Sequence, residues 1–177
     1  MASRPQFSDY RSIDAIGNNA YEAIITDIPA AGGLDKLLTI KCHGFEIPGV
    51  EQSRLEIIMQ GFKSYNAAGS SRYAGEFTIQ YLEDSNYTVN KTMRAWKEFC
   101  AGTNSGTTGG NKVDYSRDII LRQYNPRGEL AGEVIMIGCF PTKLPNTALT
   151  STQSPEAVIL DCTFSFDYHV LKSVQIR

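Results

Sequence analysis

The side chains of this sequence that could do chemistry are few and scattered. His43 and His169 lie far apart, one in a Gly-containing segment and one near the C-terminus. Neither stands beside a signature for nucleophilic or metal chemistry, which needs a base or ligand within reach of its partner. Cys42, Cys100, Cys139 and Cys162 sit among apolar neighbours with no CxxC pair, so they are expected to be reduced core residues and not zinc ligands. Ser165 and Asp167 share a strand face, yet alternating polar residues on a wet face account for them without catalysis. Asp161 and Asp167 are about 20 Å apart along a strand at ~3.3 Å per residue, too far for paired acid and base work. The run GTNSGTTGGN from Gly102 to Asn111 lacks the GxxxxGK[ST] pattern and no strand immediately precedes it, which argues against a phosphate cradle. No catalytic residue, metal or cofactor is expected.

Arg117, Arg122 and Arg127 invite a nucleic-acid reading. Against it, Asp114, Asp118, Glu129 and Glu133 are interleaved with them. The whole chain has 17 basic and 19 acidic residues, a formal net charge of -2, so no basic field holds a phosphate backbone. A mixed-charge surface, or salt bridges between subunits, is the better account of the three arginines. A chain of 177 residues is long enough for one domain with a proper core and short for two. Met1 to Ser12 is polar and has no apolar h-region, so no signal peptide is expected. No unbroken apolar window reaches spanning length, so no membrane span is expected. The sequons at Asn86 and Asn90 are then accidental.

The elements that must position these residues are mostly strands. Asn18–Ile28 reads as a first strand and Lys36–Cys42 as a second, close enough to pair with it as a hairpin. His43–Ser53 reads as a loop that carries Phe45, Ile47 and Val50. Leu55–Phe62 is a third strand and Arg72–Glu83 a fourth, with Asn66–Ser71 as the turn between them. In the fourth, Tyr73, Phe77, Ile79 and Tyr81 alternate with Arg72, Glu76, Thr78 and Gln80, so one face is buried and the other wet. Asp84-Ser85 caps a helix from Tyr87 to Cys100, on which Val89, Met93, Trp96 and Cys100 form one apolar stripe, and Gly102 stops it. Asp114–Pro141 reads as two strands around a type I turn at Asn125-Pro126-Arg127-Gly128. Its second strand is expected to end at Phe140-Pro141, because proline cannot donate to a ladder. Lys143–Pro155 is a polar connection. In Ala157–Tyr168, Val158, Leu160, Cys162, Phe164, Phe166 and Tyr168 face one way, and Asp161, Thr163, Ser165 and Asp167 the other. Seven strands and one helix predict a mainly β fold, an antiparallel sandwich or barrel with one flanking helix.

The segment Gly109–Tyr168 resembles the C-terminal half of the tail tube proteins of contractile-tailed bacteriophages. The resemblance rests on the strand from Lys112 to Tyr124 that ends in R-Q-Y, the exit from Ile137 to Thr142 with its Pro-Thr, and the closing Asp167-Tyr168. GNNAYEAIITDI, the IPGVE of Ile47–Glu51 and the helix with Trp96 extend it more loosely from about Gly17 to Tyr168. The polar start before Gly17, a presumed arm, and the tail Val170–Arg177 depart from the family.

The resemblance implies a single tail tube domain and a structural virion protein. Such subunits form homo-hexameric rings whose inner sheets join into one β-barrel, and the rings stack into a tube inside the sheath. It implies a tail sheath protein, a tape measure protein, and baseplate and neck tube proteins as partners, with DNA passing through the lumen unbound and assembly in the host cytoplasm. A tube initiator or terminator, or the tube of a related contractile injection or type VI secretion system, is the alternative within this class. A small-ligand-binding β-barrel is the alternative outside it. The polar residues Glu76, Thr78 and Gln80, or Asp161, Thr163, Ser165 and Asp167, are expected to line the lumen, since such groups do not hold phosphate. Phe45, Ile47, Val50, Tyr65 and Asn66 are the candidate contacts between rings, and Arg117, Arg122 and Arg127 between subunits.

Overall fold

The structure, a computed structural model, describes residues 20–29, 32–102, 110–144 and 157–172. Among them are nine strands: β1 Tyr21–Ile25, β2 Cys42–Phe45, β3 Val50–Met59, β4 Phe62–Tyr73, β5 Glu76–Leu82, β6 Arg117–Tyr124, β7 Leu130–Lys143, β8 Ile159–Ser165 and β9 Tyr168–Lys172. Three helices accompany them, α1 Asp35–Lys41, α2 Thr88–Cys100 and the single turn α3 Lys112–Tyr115. All strand pairs are antiparallel. A first sheet runs β1-β6-β7-β9 and a second β7-β8-β5-β2, so β7 belongs to both. The long hairpin β3-β4 forms a separate two-stranded sheet.

The transfer of β7 between sheets happens at Gly138. Arg117 is opposite Cys139 and Ile119 opposite Met136, so Ile137 and Gly138 together face Asp118 in a β-bulge. Gly138 has φ +69°, a conformation that glycine adopts without steric cost. The Asp118 carboxylate accepts its N–H at 3.0 Å, and Asp167 N–H donates to Ile137 O at 3.0 Å. A strand end at Phe140-Pro141 is therefore not what forms: β7 continues to Lys143, paired to β8. Proline is tolerated because Phe140–Lys143 is an edge with one neighbouring strand. The predicted turn is present, with Gly128 N–H donating to Asn125 O at 2.9 Å.

The core lies between the two sheets. Ala23, Ile25, Ile119, Leu121, Val134 and Met136 enter from the first, and Phe77, Ile79, Tyr81, Leu160, Cys162 and Phe164 from the second. The stripe Val89, Met93, Trp96 and Cys100 of α2 is buried against them, and Trp96 Nε1–H donates to Tyr115 O at 2.8 Å. Two carboxylates cap this helix. Asp84 accepts from Thr88 N–H at 3.0 Å, and Glu83 from Val89 and Asn90 N–H at 3.0 and 2.9 Å. The ammonium of Lys41, then the Thr88 N–H, hold the Asp84 carboxyl well below the usual carboxylate range.

Several local expectations are corrected. Lys36–Cys42 is not a strand: α1 occupies it, burying Leu38 and exposing Ile40. A seven-residue apolar run fits either element, and only its packing decides. β1 consequently pairs with β6, not with this segment, and β2 pairs with β5. His43–Ser53 is loop only over 46–49, the rest belonging to β2 and β3. Asn66–Ser71 lies within β4; the turn is Gln60-Gly61, both at positive φ (49° and 84°) as a type I′ hairpin needs. Gly75, at φ +79°, divides the expected fourth strand, and Ala157–Tyr168 splits between β8 and β9, leaving Val158 and Tyr168 exposed. Of the expected tail, Val170–Lys172 belongs to β9. The arm before Gly17, most of Gly102–Asn111, residues 145–155 and residues 173–177 lie outside the described residues.

A Cβ on residue 138 would meet Asp167 Oδ2 at 2.5 Å as well as forcing an L-residue to positive φ. Gly138→Ala is expected to lower stability by about 1–3 kcal/mol, read from denaturant unfolding. Gly132→Ala, in open space on the same strand, is expected to be near neutral.

Candidate functional surfaces

Inward Phe77, Ile79 and Tyr81 and inward Leu160, Cys162 and Phe164 leave their neighbours on the outer face of the second sheet. The register sets them side by side: Glu76 with Ser165, Thr78 with Thr163, Gln80 with Asp161. Gln80 Nε2 donates to Asp161 Oδ1 at 3.0 Å, and the Thr78 and Thr163 hydroxyls meet at 3.5 Å. Lys143 Nζ lies 3.7 Å from Glu76 Oε2. At this end a groove of about 390 Å³ is lined by Glu46, Glu76, Thr78, Lys143 and Thr163 among others. The two alternative polar sets are thus one surface. Asp167 is not part of it, because the chain turns after Ser165 and carries its carboxylate to Lys112 beside Gly138.

The outer face of the first sheet carries a ladder of alternating charge, Glu22, Arg122, Glu133 and Lys172, on four adjacent strands. Arg122 Nε donates to Glu133 Oε2 at 2.8 Å and Nη1 to Glu22 Oε1 at 3.3 Å; Lys172 Nζ lies 3.2 Å from Glu133 Oε1. Glu133 is only 7% exposed, and the Arg122 guanidinium, then Lys172, hold its carboxyl below the usual range. Tyr124 Oη donates to Glu22. Two residues along, Ile24, Ile120, Ile135 and Val170 make a parallel apolar row.

Arg122 is thus satisfied within its own chain. Among the described residues Arg117 donates to the carbonyls of Asp27 at 2.7 Å, Ser116 at 2.6 Å and Asp114 at 3.1 Å. It pins the loop after β1 and the α3 turn onto β6. Arg127 stands exposed at the tip of the β6-β7 turn.

The hairpin β3-β4 has two unlike faces. On one, Lys63 lies 2.8 Å from Glu56, and the Arg54 guanidinium sits 4.8 Å from the centroid of the Tyr65 ring. The register places Leu55, Ile57, Met59, Phe62, Ser64 and Asn66 on the other. There Phe62 is 81% exposed, Met59 71% and Leu55 56%. Tyr65 and Asn66 are therefore on opposite faces. Ile47 and Val50 are exposed at the hairpin base, whereas Phe45 is half-buried with its ring 5.4 Å from that of Tyr21, on the core side of β2. The base is anchored by Tyr73, whose ring meets Phe166 at 6.3 Å and His169 at 5.2 Å. Leu55, Met59 and Phe62 were legible only through a period-two pattern that runs across the Gln60-Gly61 turn.

The titratable groups do not converge. His43 and His169 belong to β2 and β9, and the buried His169 Nδ1 meets no hydrogen-bond partner among the described residues. Burial pushes the Cys139 and Cys162 thiols up to about 12, so neither is a nucleophile near neutral pH. Burial likewise pushes the Tyr81 phenol well up. Among the described residues no three His, Cys, Asp or Glu side chains gather as a metal would require, and no helix is long and apolar enough to cross a membrane.

The described residues thus give an antiparallel sandwich with a polar outer face on its second sheet, open strand edges and a projecting hairpin. The chain belongs to the phage tail tube protein family, which matches it over residues 11–172. It is 25% identical over 138 residues to the tail tube protein gp19 of Enterobacteria phage T4, spanning 76% of this chain and 82% of that one. The gp19 of Enterobacteria phage T6 is 24% identical over the same shares. In fold it is similar to a chain of the extended sheath–tube complex of the extracellular contractile injection system PVC, with a TM-score of 0.65 at 16% identity over 97% of this chain and 100% of the other. A chain of the tube-terminating cap of the anti-feeding prophage gives 0.60 at 12% identity over 98% and 97%. The role is that of a structural tail tube protein of contractile phage-like systems.

The charge ladder sets an acid dependence. The folded pKa of Glu133 is depressed, so its stabilisation is whole above the unfolded value of about 4.3 and is lost as pH falls through the folded one. Glu133→Gln is expected to be less stable than the parent at about pH 7, and the gap to narrow toward about pH 3. Urea midpoints at the two pH values check this.

Proposed function

We propose that copies of this chain form hexameric rings that stack through their hairpins into the inner tube of a contractile tail, and that DNA passes along a lumen lined by the second sheet. The observation that carries this reading is the β3-β4 hairpin. A lone two-stranded sheet is marginal in water, and this one presents Leu55, Met59 and Phe62 to solvent. Another copy covering that face removes the exposure. Apolar candidates at the base, Ile47 and Val50, extend the same contact, with Asn66 on the same face as Leu55. Phe45 supports it indirectly, from the core side.

The polar face of β5 and β8 suits the lumen because hydroxyls, an amide and carboxylates offer duplex phosphates no cation to hold. Edge pairing between neighbours, β2 of one copy beside the β7 end of the next, would close the second sheets into a barrel and leave no free edge. The sheath, tape measure, baseplate and neck proteins are the partners of such a tube, the virion tail is its location, assembly takes place in the host cytoplasm, and the role is structural and not enzymatic. A terminator role stays a second reading, since a terminator chain of the PVC system matches with the same TM-score of 0.65.

Met59→Asp with Phe62→Asp is expected to abolish tube growth while leaving a folded subunit with a parent-like circular dichroism spectrum. Negative-stain images and size exclusion read the outcome, and tubes of parental length from this double variant overturn the hairpin reading.

A further inference from the structure

We propose that Glu76 masks Lys143, keeping the face of the second sheet free of an available cation; this rests on the placement of that face in the lumen. The strand segments of this sheet, residues 42–45, 76–82, 140–143 and 159–165, contain one Lys or Arg, which is Lys143. Its side chain points out beside Thr163, into the groove it shares with Glu76 and Glu46, and its ammonium lies 3.7 Å from Glu76 Oε2. Both side chains are largely exposed, and an exposed pair adds little to stability. Folding therefore gives no reason for a carboxylate opposite Ser165.

Electrostatics gives one. Beyond about 10 Å at ordinary ionic strength the pair has no net field, and a phosphate that approaches Lys143 closely meets Glu76 as well. Without Glu76 each subunit would offer one ammonium that had lost the carboxylate 3.7 Å from it, with Glu46 elsewhere in the groove, and symmetry would multiply it. A ring of about six such contacts is of the size that binds duplex DNA non-specifically, with an affinity that falls about 10³-fold between ~50 and ~200 mM salt. A sliding duplex would meet that ring at every level of the tube.

The test polymerises the full chain with a short blunt DNA duplex, pellets the tubes and treats them with nuclease. Parent tubes are expected to retain no DNA. Glu76→Gln tubes are expected to retain DNA that is nuclease-resistant and lost on raising the salt, and Glu76→Gln with Lys143→Gln to behave as the parent. Should Glu76→Gln fail to assemble, Glu76→Ser is the same test with a smaller side chain. Absence of DNA from tubes of the single variant overturns the masking role, as does equal retention by the double variant. Retention that depends on Lys143 but is fully nuclease-sensitive upholds the mask and overturns the lumenal placement, so the two failures are separable.

Discussion

One strand has to serve two sheets. β7 is hydrogen-bonded to β6 and β9 through its first ten residues and to β8 through its last four, and the change of partner is made over a single bulge. That bulge needs a residue at positive φ with no Cβ, a carboxylate to receive the N–H turned out of the ladder, and room for the turn between β8 and β9. Gly138, Asp118 and Asp167 meet these needs. Because β7 is continuous, the two sheets cannot slide relative to each other, and the core between them, with α2 laid across it, is held in one register.

The same constraint decides what each sheet shows outward. Strict alternation along β5 and β8 commits every second residue to the outside, where the side chains are hydroxyls, an amide and carboxylates. The first sheet solves the problem differently. Its outward charges neutralise one another across four strands, and an arginine and a lysine flank the nearly buried Glu133. Such a ladder is attractive only within itself. It leaves the isoleucine row beside it as the surface's apolar feature, and it leaves little net charge to attract a distant partner.

How much of this was legible in the sequence follows from how far each signal reaches. The stripe of α2 and the alternation of β5 and β8 are local, and the expected buried faces are the observed ones apart from Val158 and Tyr168. The family resemblance, carried by the R-Q-Y strand, the Pro-Thr exit and the closing Asp-Tyr, pointed to the family that the whole-chain match gives. What local pattern could not decide was left to packing. KLLTIK is helical, with Leu38 buried and Ile40 exposed, and Cys42 opens β2; Phe140-Pro141 is passable because the second sheet happens to end there. The hairpin was misplaced for a related reason: Asn66–Ser71 has turn composition, whereas Gln60-Gly61 is an uncommon variant of the Asn-Gly signal. Arg117 donates to the neighbouring carbonyls of Asp114 and Ser116 and to that of Asp27, and only the last, 90 residues away, lies beyond the reach of a local pattern.

The misplaced hairpin changes which residues matter for assembly. With the turn at Gln60-Gly61, the two strands are longer than the sequence predicts, and Leu55, Ile57, Met59 and Phe62 fall on one face while Ile58 falls on the other. Covering Leu55, Met59 and Phe62 at about 1.5–3 kcal/mol each contributes roughly 5–9 kcal/mol for each hairpin docked, before the cost of association. A single contact of that size is weak between free subunits. In the proposed ring the contact would be repeated, and once one hairpin had docked the others would be held at high effective concentration. The opposite face is more polar, with Glu56 beside Lys63 and Arg54 over the Tyr65 ring, but it also carries Ile58, 64% exposed. Under the proposed stacking, the more apolar face with Leu55, Met59 and Phe62 is the one a second copy would cover. Anchoring at Tyr73, Phe166 and His169 ties the hairpin to β9 and, through β9, to the strand that both sheets share.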